Sequence, residues 1–172
     1  MDMSTHRADF AEFYRRSRDG CLRTVLVSVG DPDVAQDLVA EAFARAWASW
    51  RTVSRHPAPA GWVVRTALNA NVSRWRRRRR EVPLPDPGRV ADPPAASPAA
   101  DRAVDPRIMA ALMRLPARQR QVVALRLFLD LDTGRTAEVL GIAPGTVTAH
   151  LARAIAALRH DLMPTGQEET RS

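Results

Sequence analysis

The chain has 172 residues, of which 45% are apolar and 26% charged, with a formal charge of +7 at pH 7. That length suits one medium domain or two small ones, and a single cysteine, Cys21, excludes an internal disulfide. No apolar run approaches the ~20 residues of a membrane span, and the start Met1-Asp2-Met3-Ser4-Thr5-His6 is unlike a signal peptide, so a soluble, cytoplasmic protein is expected.

Phe10, Phe13, Tyr14, Ser17, Cys21, Val25 and Val29 follow helical spacing and predict a first helix, although Thr24 to Val29 is β-branched enough to suit a strand. Cys21, among apolar helix neighbours, reads as a buried thiol rather than a reactive one. Gly30 ends the segment. Asp31 then has the look of an N-cap, with Pro32 at the first helical position and acids in the first turn. Behind it Val34, Leu38, Val39, Ala42, Phe43, Ala46, Trp47 and Trp50 trace one apolar stripe, with the tryptophans read as core. The other side presents Asp37, Glu41 and Arg45. Asp37 and Glu41 repel as like charges four residues apart, and Arg45 partly offsets this. An acidic ridge in a basic protein is either a solvated face or a dock for a basic partner, and periodicity does not choose between them.

A loop over residues 51–59 leads into a third helix from about Ala60 to Arg80. Val64, Ala67, Leu68, Asn71, Val72 and Trp75 share its predicted buried side, with Asn71 a satisfied, partly buried amide. Arg65, Asn69, Ser73, Arg76 and Arg80 line a polar side, and Arg74 and the run Arg76 to Arg80 end the helix. Residues 51–80 hold 9 Arg and no acid, which makes this side a candidate nucleic-acid contact, with a solvated basic helix end as the competing reading.

Between Glu81 and Pro106 lie 7 of the 13 prolines, among Ala, Asp and Ser, with 5 acids against 2 Arg. Such a stretch cannot bury enough surface to fold alone and reads as an acidic, semi-rigid linker over residues 81–106. It separates an N-terminal helical unit, residues 8–80, from a C-terminal one, residues 107–160, where 8 Arg again outnumber 3 acids. Both units are at the small end of what folds independently, so each is expected to lean on a partner. Two basic blocks held apart by an acidic one suit a protein that meets a polyanion at two places.

Within the C-terminal unit, residues 133–155 predict two short helices around a tight turn. Ala137, Val139 and Leu140 form the apolar side of the first, Gly141 can take the left-handed conformation that ends it, and Ile142 closes the turn. Pro144 restarts the chain, and Val147, Leu151, Ala154, Ile155 and Leu158 recur on one side of the second helix. The opposite side carries Thr146, Ala149 and Arg153, with Thr148 and His150 on its flanks. Small, polar and basic side chains of this kind can approach base edges and phosphates closely. The fold class expected is all-α, two small helical domains on a Pro-rich linker.

Taken in order, these segments resemble the extracytoplasmic-function (ECF) sigma factors of bacterial RNA polymerase, in the sigma-70 family. Asp31 to Trp47 (DPDVAQDLVAEAFARAW) is similar to the family's core-binding helix in region 2. Gly61 to Arg76 (GWVVRTALNANVSRWR) is similar to its promoter-melting helix, and Leu115 to Arg126 (LPARQRQVVALR) with the helix-turn-helix resembles region 4. The resemblance covers about residues 8–160. It implies a non-enzymatic function: binding core RNA polymerase, then directing promoter recognition, melting and transcription initiation. Asp37, Leu38, Glu41 and Arg45 would meet the polymerase. Trp62, Arg65, Asn69, Ser73, Arg74, Arg76, Arg77 and Arg80 would bind the minus-ten promoter element and trap an unstacked base. Thr146, Thr148, Ala149, His150 and Arg153 would read the minus-thirty-five element. An anti-sigma factor is a further partner that many relatives have, and in holoenzyme the protein would sit on the nucleoid. Ala40, Leu68 and Ser73 stand where relatives often have Gln, Arg and Asp, which implies altered core contact and minus-ten preference.

Two other readings stay open on sequence alone. A stand-alone transcriptional regulator would share the helix-turn-helix but leave the acidic ridge without a partner. A nuclease using Glu12, Asp37 or Glu41 with a metal would need converging carboxylates. His6, His56, His150 and His160 have no zinc-ligand spacing, and no metal, cofactor, membrane or small-molecule substrate is expected.

Overall fold

The computed structural model describes residues 3–81 and 104–163, so the expected linker lies largely outside the described residues. The chain is all-α, as expected: α1 (Met3–Val29), α2 (Pro32–Ala48), α3 (Trp50–Val53), α4 (Pro59–Glu81), α5 (Pro106–Arg114), α6 (Ala117–Leu129), α7 (Thr133–Leu140) and α8 (Pro144–Leu162). The β-branched end of α1 is helical. Thr24 Oγ1 donates to the carbonyl of Gly20 at 2.8 Å and Ser28 Oγ to that of Thr24 at 2.7 Å, which satisfies both hydroxyls within the helix. Val25, Leu26 and Val27 are buried around them, and this packing outweighs their weak preference for helix.

At the start of α2, Asp31 Oδ1 accepts from the amides of Asp33 and Val34, each at 3.0 Å, so the N-cap forms as its sequence implied. The stripe behind it packs on α1 and α4. Phe10 lies 5.0 Å from Trp47, Phe13 lies 4.9 Å from Trp50, and Tyr14 meets the edge of Phe43 at 4.9 Å, ring centre to ring centre. Trp50 is buried, whereas Trp47 closes the rim of this aromatic cluster and stays 41% exposed. The stretch read as a loop after Trp50 contains the single turn α3, whose Trp50 and Val53 point into the core. Four residues are too few for periodicity to show it.

The two expected units share one apolar core in this structure. Val122, Leu125, Leu131, Val139 and Leu140 belong to the same buried cluster as Cys21, Val25, Leu38 and Val64. α1 also packs along α6, and Val27 enters a second cluster with Leu112, Leu115, Val123 and Ala154. The approach is close at Gly20, where a Cβ would stand 2.8 Å from the carbonyl oxygen of Phe128 and 2.9 Å from Leu129 Cδ2. At Gly61 an added Cβ would lie 2.9 Å from Val139 Cγ2. Two units too small to hide their own apolar faces cover each other's.

Cys21 sits in the middle of this core, fully buried, and burial pushes its thiol up to about 12. The folded state therefore holds the neutral thiol, and that contribution is complete below the unfolded value near 9 and is lost as pH rises towards 12. Stability measured by denaturant titration is expected to fall by up to about 1.4 kcal/mol per pH unit across that window, and Cys21→Ser is expected to remove this component of the slope. Modification by an alkylating reagent at pH 8 should be absent until the chain is unfolded, and rapid labelling of the native protein would contradict a buried thiol.

Candidate nucleic-acid interface

In the C-terminal unit α7 and α8 meet at 101°, the geometry of a helix-turn-helix. Asp132 caps α7 through the Arg135 amide at 2.8 Å, and Gly141 ends it at φ +64°, the left-handed conformation that only a residue without Cβ adopts without strain. Val147 and Ala154 anchor α8 in the core and Leu151 is half-buried. Ile155, expected on that same side, is 39% exposed. Thr146, Thr148, Ala149 and Arg153 are exposed together on the other side, although the Thr148 hydroxyl donates back to the Pro144 carbonyl at 3.2 Å. His150 departs from this face: it is half-buried, with Nδ1 shielded from solvent and without a partner among the described residues. Its position one step from Ala149 turns it along the flank toward the body of the domain.

On α4, Arg65, Asn69, Ser73, Arg76, Arg77 and Arg80 are exposed, while Trp62 and Arg74 are half-buried. Arg65 is drawn toward the other unit, where its Nη1 donates to the Glu138 carbonyl on α7 at 3.3 Å. Ser73 Oγ donates to the Asn69 carbonyl at 3.1 Å, leaving the Asn69 side chain outward. Arg74 Nη2 reaches across to Glu41 Oε2 on α2 at 3.0 Å, and Glu41 also pairs with Arg45. Neither the Arg74 nor the Arg65 contact is readable from sequence, since the partners lie 33 and 73 residues away.

The consequence is one cleft of about 350 Å³ between α2 and α4, lined by Glu41, Arg45, Asn69, Ser73, Arg74 and Arg77. It joins residues expected at two separate sites. Three cations and an amide around one carboxylate leave the cleft net positive, able to take a phosphate or the polar edge of a base. Asp37 stands exposed on the same helix, one turn before Glu41. Leu38, expected beside Asp37 and Glu41 at the polymerase contact, does not join this surface. It is 0% exposed and belongs to the core, because position 38 falls on the apolar stripe rather than the acidic ridge. The buried side of α4 also needs correction. Val64 and Ala67 are buried, but Val72 and Trp75 are 46% and 53% exposed because α4 runs past the end of its packing partners. Among the described residues, no three His, Cys, Asp or Glu side chains come together in a metal-holding group.

The chain matches two protein families, Sigma-70 region 2 over residues 13–81 and Sigma-70, region 4 over residues 106–158. It is 35% identical over 156 residues to the RNA polymerase sigma-E factor of Streptomyces coelicolor, covering 90% of this chain and 86% of that one. The protein of the same name from Streptomyces antibioticus is 38% identical over 158 residues, covering 90% and 84%. ECF RNA polymerase sigma factor SigL of Mycobacterium tuberculosis is 31% identical over 147 residues, covering 84% and 83%. Among solved structures the sigma factor RpoE of Bartonella quintana, in complex with the anti-sigma factor NepR, shares the fold with a TM-score of 0.71 at 23% identity, covering 91% of this chain and 98% of that one. The helix-turn-helix, the basic α4 and these relatives agree: the chain belongs to the sigma-70 family, the non-enzymatic sigma factors of transcription initiation.

Proposed function

We propose that this sigma factor divides its work between residues 8–80, which meet core RNA polymerase and the minus-ten element, and residues 107–160, which read the minus-thirty-five element, with residues 81–106 as the tether. The observation that carries this reading is the presence in one chain of two separate basic, exposed helix faces, on α4 and α8, beside the acidic side of α2. Asp37 and Glu41 would meet a basic surface of the polymerase. Arg65, Asn69, Ser73, Arg74 and the arginines 76, 77 and 80 would hold the minus-ten strand, with Trp62 supporting the start of α4. No bond is broken. Unstacking a base costs a few kcal/mol, which a pocket and phosphate contacts offset. Working with RNA polymerase places the protein in the cytoplasm and, in holoenzyme, on the nucleoid; no single described helix is long and apolar enough to cross a membrane. An anti-sigma factor, of the kind the Bartonella protein binds, is a further proposed partner.

The closed arrangement cannot itself engage a promoter. Elements about 25 base pairs apart are separated by about 85 Å of duplex. A compact body of this size is only about 40 Å across. The faces on α4 and α8 must therefore separate, breaking the contacts of α6 and α7 with α1 and α4, before both elements are bound.

The reading is tested by run-off transcription with core polymerase on fragments of the organism's own chromosome. Specific start sites that require the purified chain support it, and none, together with no association with core polymerase, would refute it. Arg153→Ala is expected to weaken binding to the preferred upstream element by ~1–3 kcal/mol while sparing core-polymerase binding. Equal losses on every DNA sequence would show that Arg153 meets phosphate rather than a base.

A further inference from the structure

Gly61, Arg65, Asn69 and Ser73 follow one another every four residues along α4, a line about 18 Å long on one slowly turning side of the helix. Its two ends have different surroundings. Asn69 and Ser73 are exposed, whereas Gly61 is buried beneath α7, where a Cβ would stand 2.9 Å from Val139 Cγ2 and 3.3 Å from Leu131 Cδ1. Arg65 lies one turn further on, and its Nη1 donates to the Glu138 carbonyl at 3.3 Å. The first helix of the helix-turn-helix is therefore seated on the same line of α4 that the minus-ten strand would follow.

The last carbonyls of a helix have no amide partner within it. At the end of α7 the Ala137 carbonyl accepts from the Ile142 amide at 3.1 Å and the Leu140 carbonyl from Arg118 Nη1 at 3.5 Å, which leaves the Glu138 carbonyl to Arg65. These oxygens form the negative end of the helix dipole. They offer Arg65 what a phosphate offers, an outward acceptor of negative character, while a phosphate carries a full charge and makes the stronger hydrogen bond. Apolar contact holds the rest of the seat, since Val139 and Leu140 are buried in the cluster that contains Val64.

We propose that α7 and the unpaired minus-ten strand compete for this line of α4, so that seating α7 excludes the strand and seating the strand releases the helix-turn-helix. Asn69 and Ser73, exposed in the closed form, are the foothold from which the strand displaces α7. The inference rests on the reading that α4 holds the minus-ten strand, and it adds what regulates access to that site. Binding of the strand and opening by the polymerase then reinforce each other, because each takes the form that the other favours.

The test uses the full chain carrying Gly61→Cys with Val139→Cys. A Cβ at position 61 lies 2.9 Å from a γ atom of residue 139, which brings the two β-carbons within disulfide distance. Oxidised and reduced samples are titrated with a fluorescein-labelled 12-nucleotide single strand of mixed sequence. The disulfide, confirmed by mass, is expected to weaken binding by about tenfold or more, as α7 can no longer leave, and a reductant to restore it. Equal affinity in the two states would overturn the competition. Val139→Cys alone gives a second readout that needs no disulfide. Residue 139 is 8% exposed in the closed chain, and alkylation of its thiol should become about 5- to 30-fold faster when the single strand is saturating, as the closed population is drained. An unchanged rate would mean that the strand binds without displacing α7, and would overturn the proposal. So would equal acceleration at Cys21, which lies deep in the core and reports unfolding of the whole chain. Run-off transcription by the wild-type chain separates this result from the sigma reading. Initiation with an unchanged alkylation rate removes the competition alone, and a strand-dependent rate without any initiation removes the promoter reading alone.

Discussion

Leu38→Ala is expected to lower the folding free energy by about 2–5 kcal/mol, whereas Asp37→Ala, one residue earlier, leaves stability near the wild-type value and weakens binding to core polymerase. The difference follows from 100° of helix rotation. Leu38 is fully buried in the core shared by α1, α2 and α4, so truncation removes apolar contacts and opens a cavity that the surrounding helices only partly fill. Asp37 is exposed on the acidic side and caps no helix. Thermal unfolding reads the first effect, at about 2–4 °C for each kcal/mol in a chain of this size. A pull-down of core polymerase at matched folded concentration reads the second. The opposite pattern, a Leu38→Ala protein that unfolds at the wild-type temperature but has lost the polymerase, would mean that α2 offers its apolar stripe outward in the functional state.

Leu38 also shows which sequence signals carried structural information. Its place on the stripe with Val34, Val39, Ala42 and Phe43 marked it as core, while family resemblance pointed to a partner contact, and burial follows the stripe. Caps and turns were legible for the same local reason: Asp31, Gly30 and Gly141 all act on neighbours within a few residues. The side of α4 was legible only as far as its partners extend. Helical spacing tells which residues share a side, but not where a packed neighbour stops, so Val72 and Trp75 appeared as core and are exposed. Contacts between distant segments were not legible. Arg74 with Glu41, Arg65 with the Glu138 carbonyl, and Gly20 against Phe128 depend on how the helices are stacked, which no local pattern encodes.

Gly20→Leu is expected to open the molecule and raise its apparent affinity for core polymerase. Any Cβ at position 20 meets the Phe128 carbonyl oxygen at 2.8 Å, and this contact is backbone, which cannot swing aside as a flexible side chain can. Leucine adds further atoms next to Leu129. Within α1 itself the change should help, because glycine in a helix interior is less favourable than leucine or alanine by roughly 0.5–1 kcal/mol. A destabilised closed form with an intact α1 therefore isolates the contact with α6 as the cause. Relief of the closed state enlarges the competent fraction on which binding depends. If closure is worth about 1–2 kcal/mol, the apparent affinity rises by about 5- to 30-fold for a partner that takes only the open form. Small-angle scattering should show the radius of gyration rising by roughly 5 Å or more, as two bodies replace one, with helix content retained by circular dichroism. Gly20→Ala should give a smaller change in the same direction. An unchanged radius and unchanged polymerase binding in Gly20→Leu would show that α1 and α6 slide past one another to keep the molecule closed, and that the shared core does not gate access to the promoter.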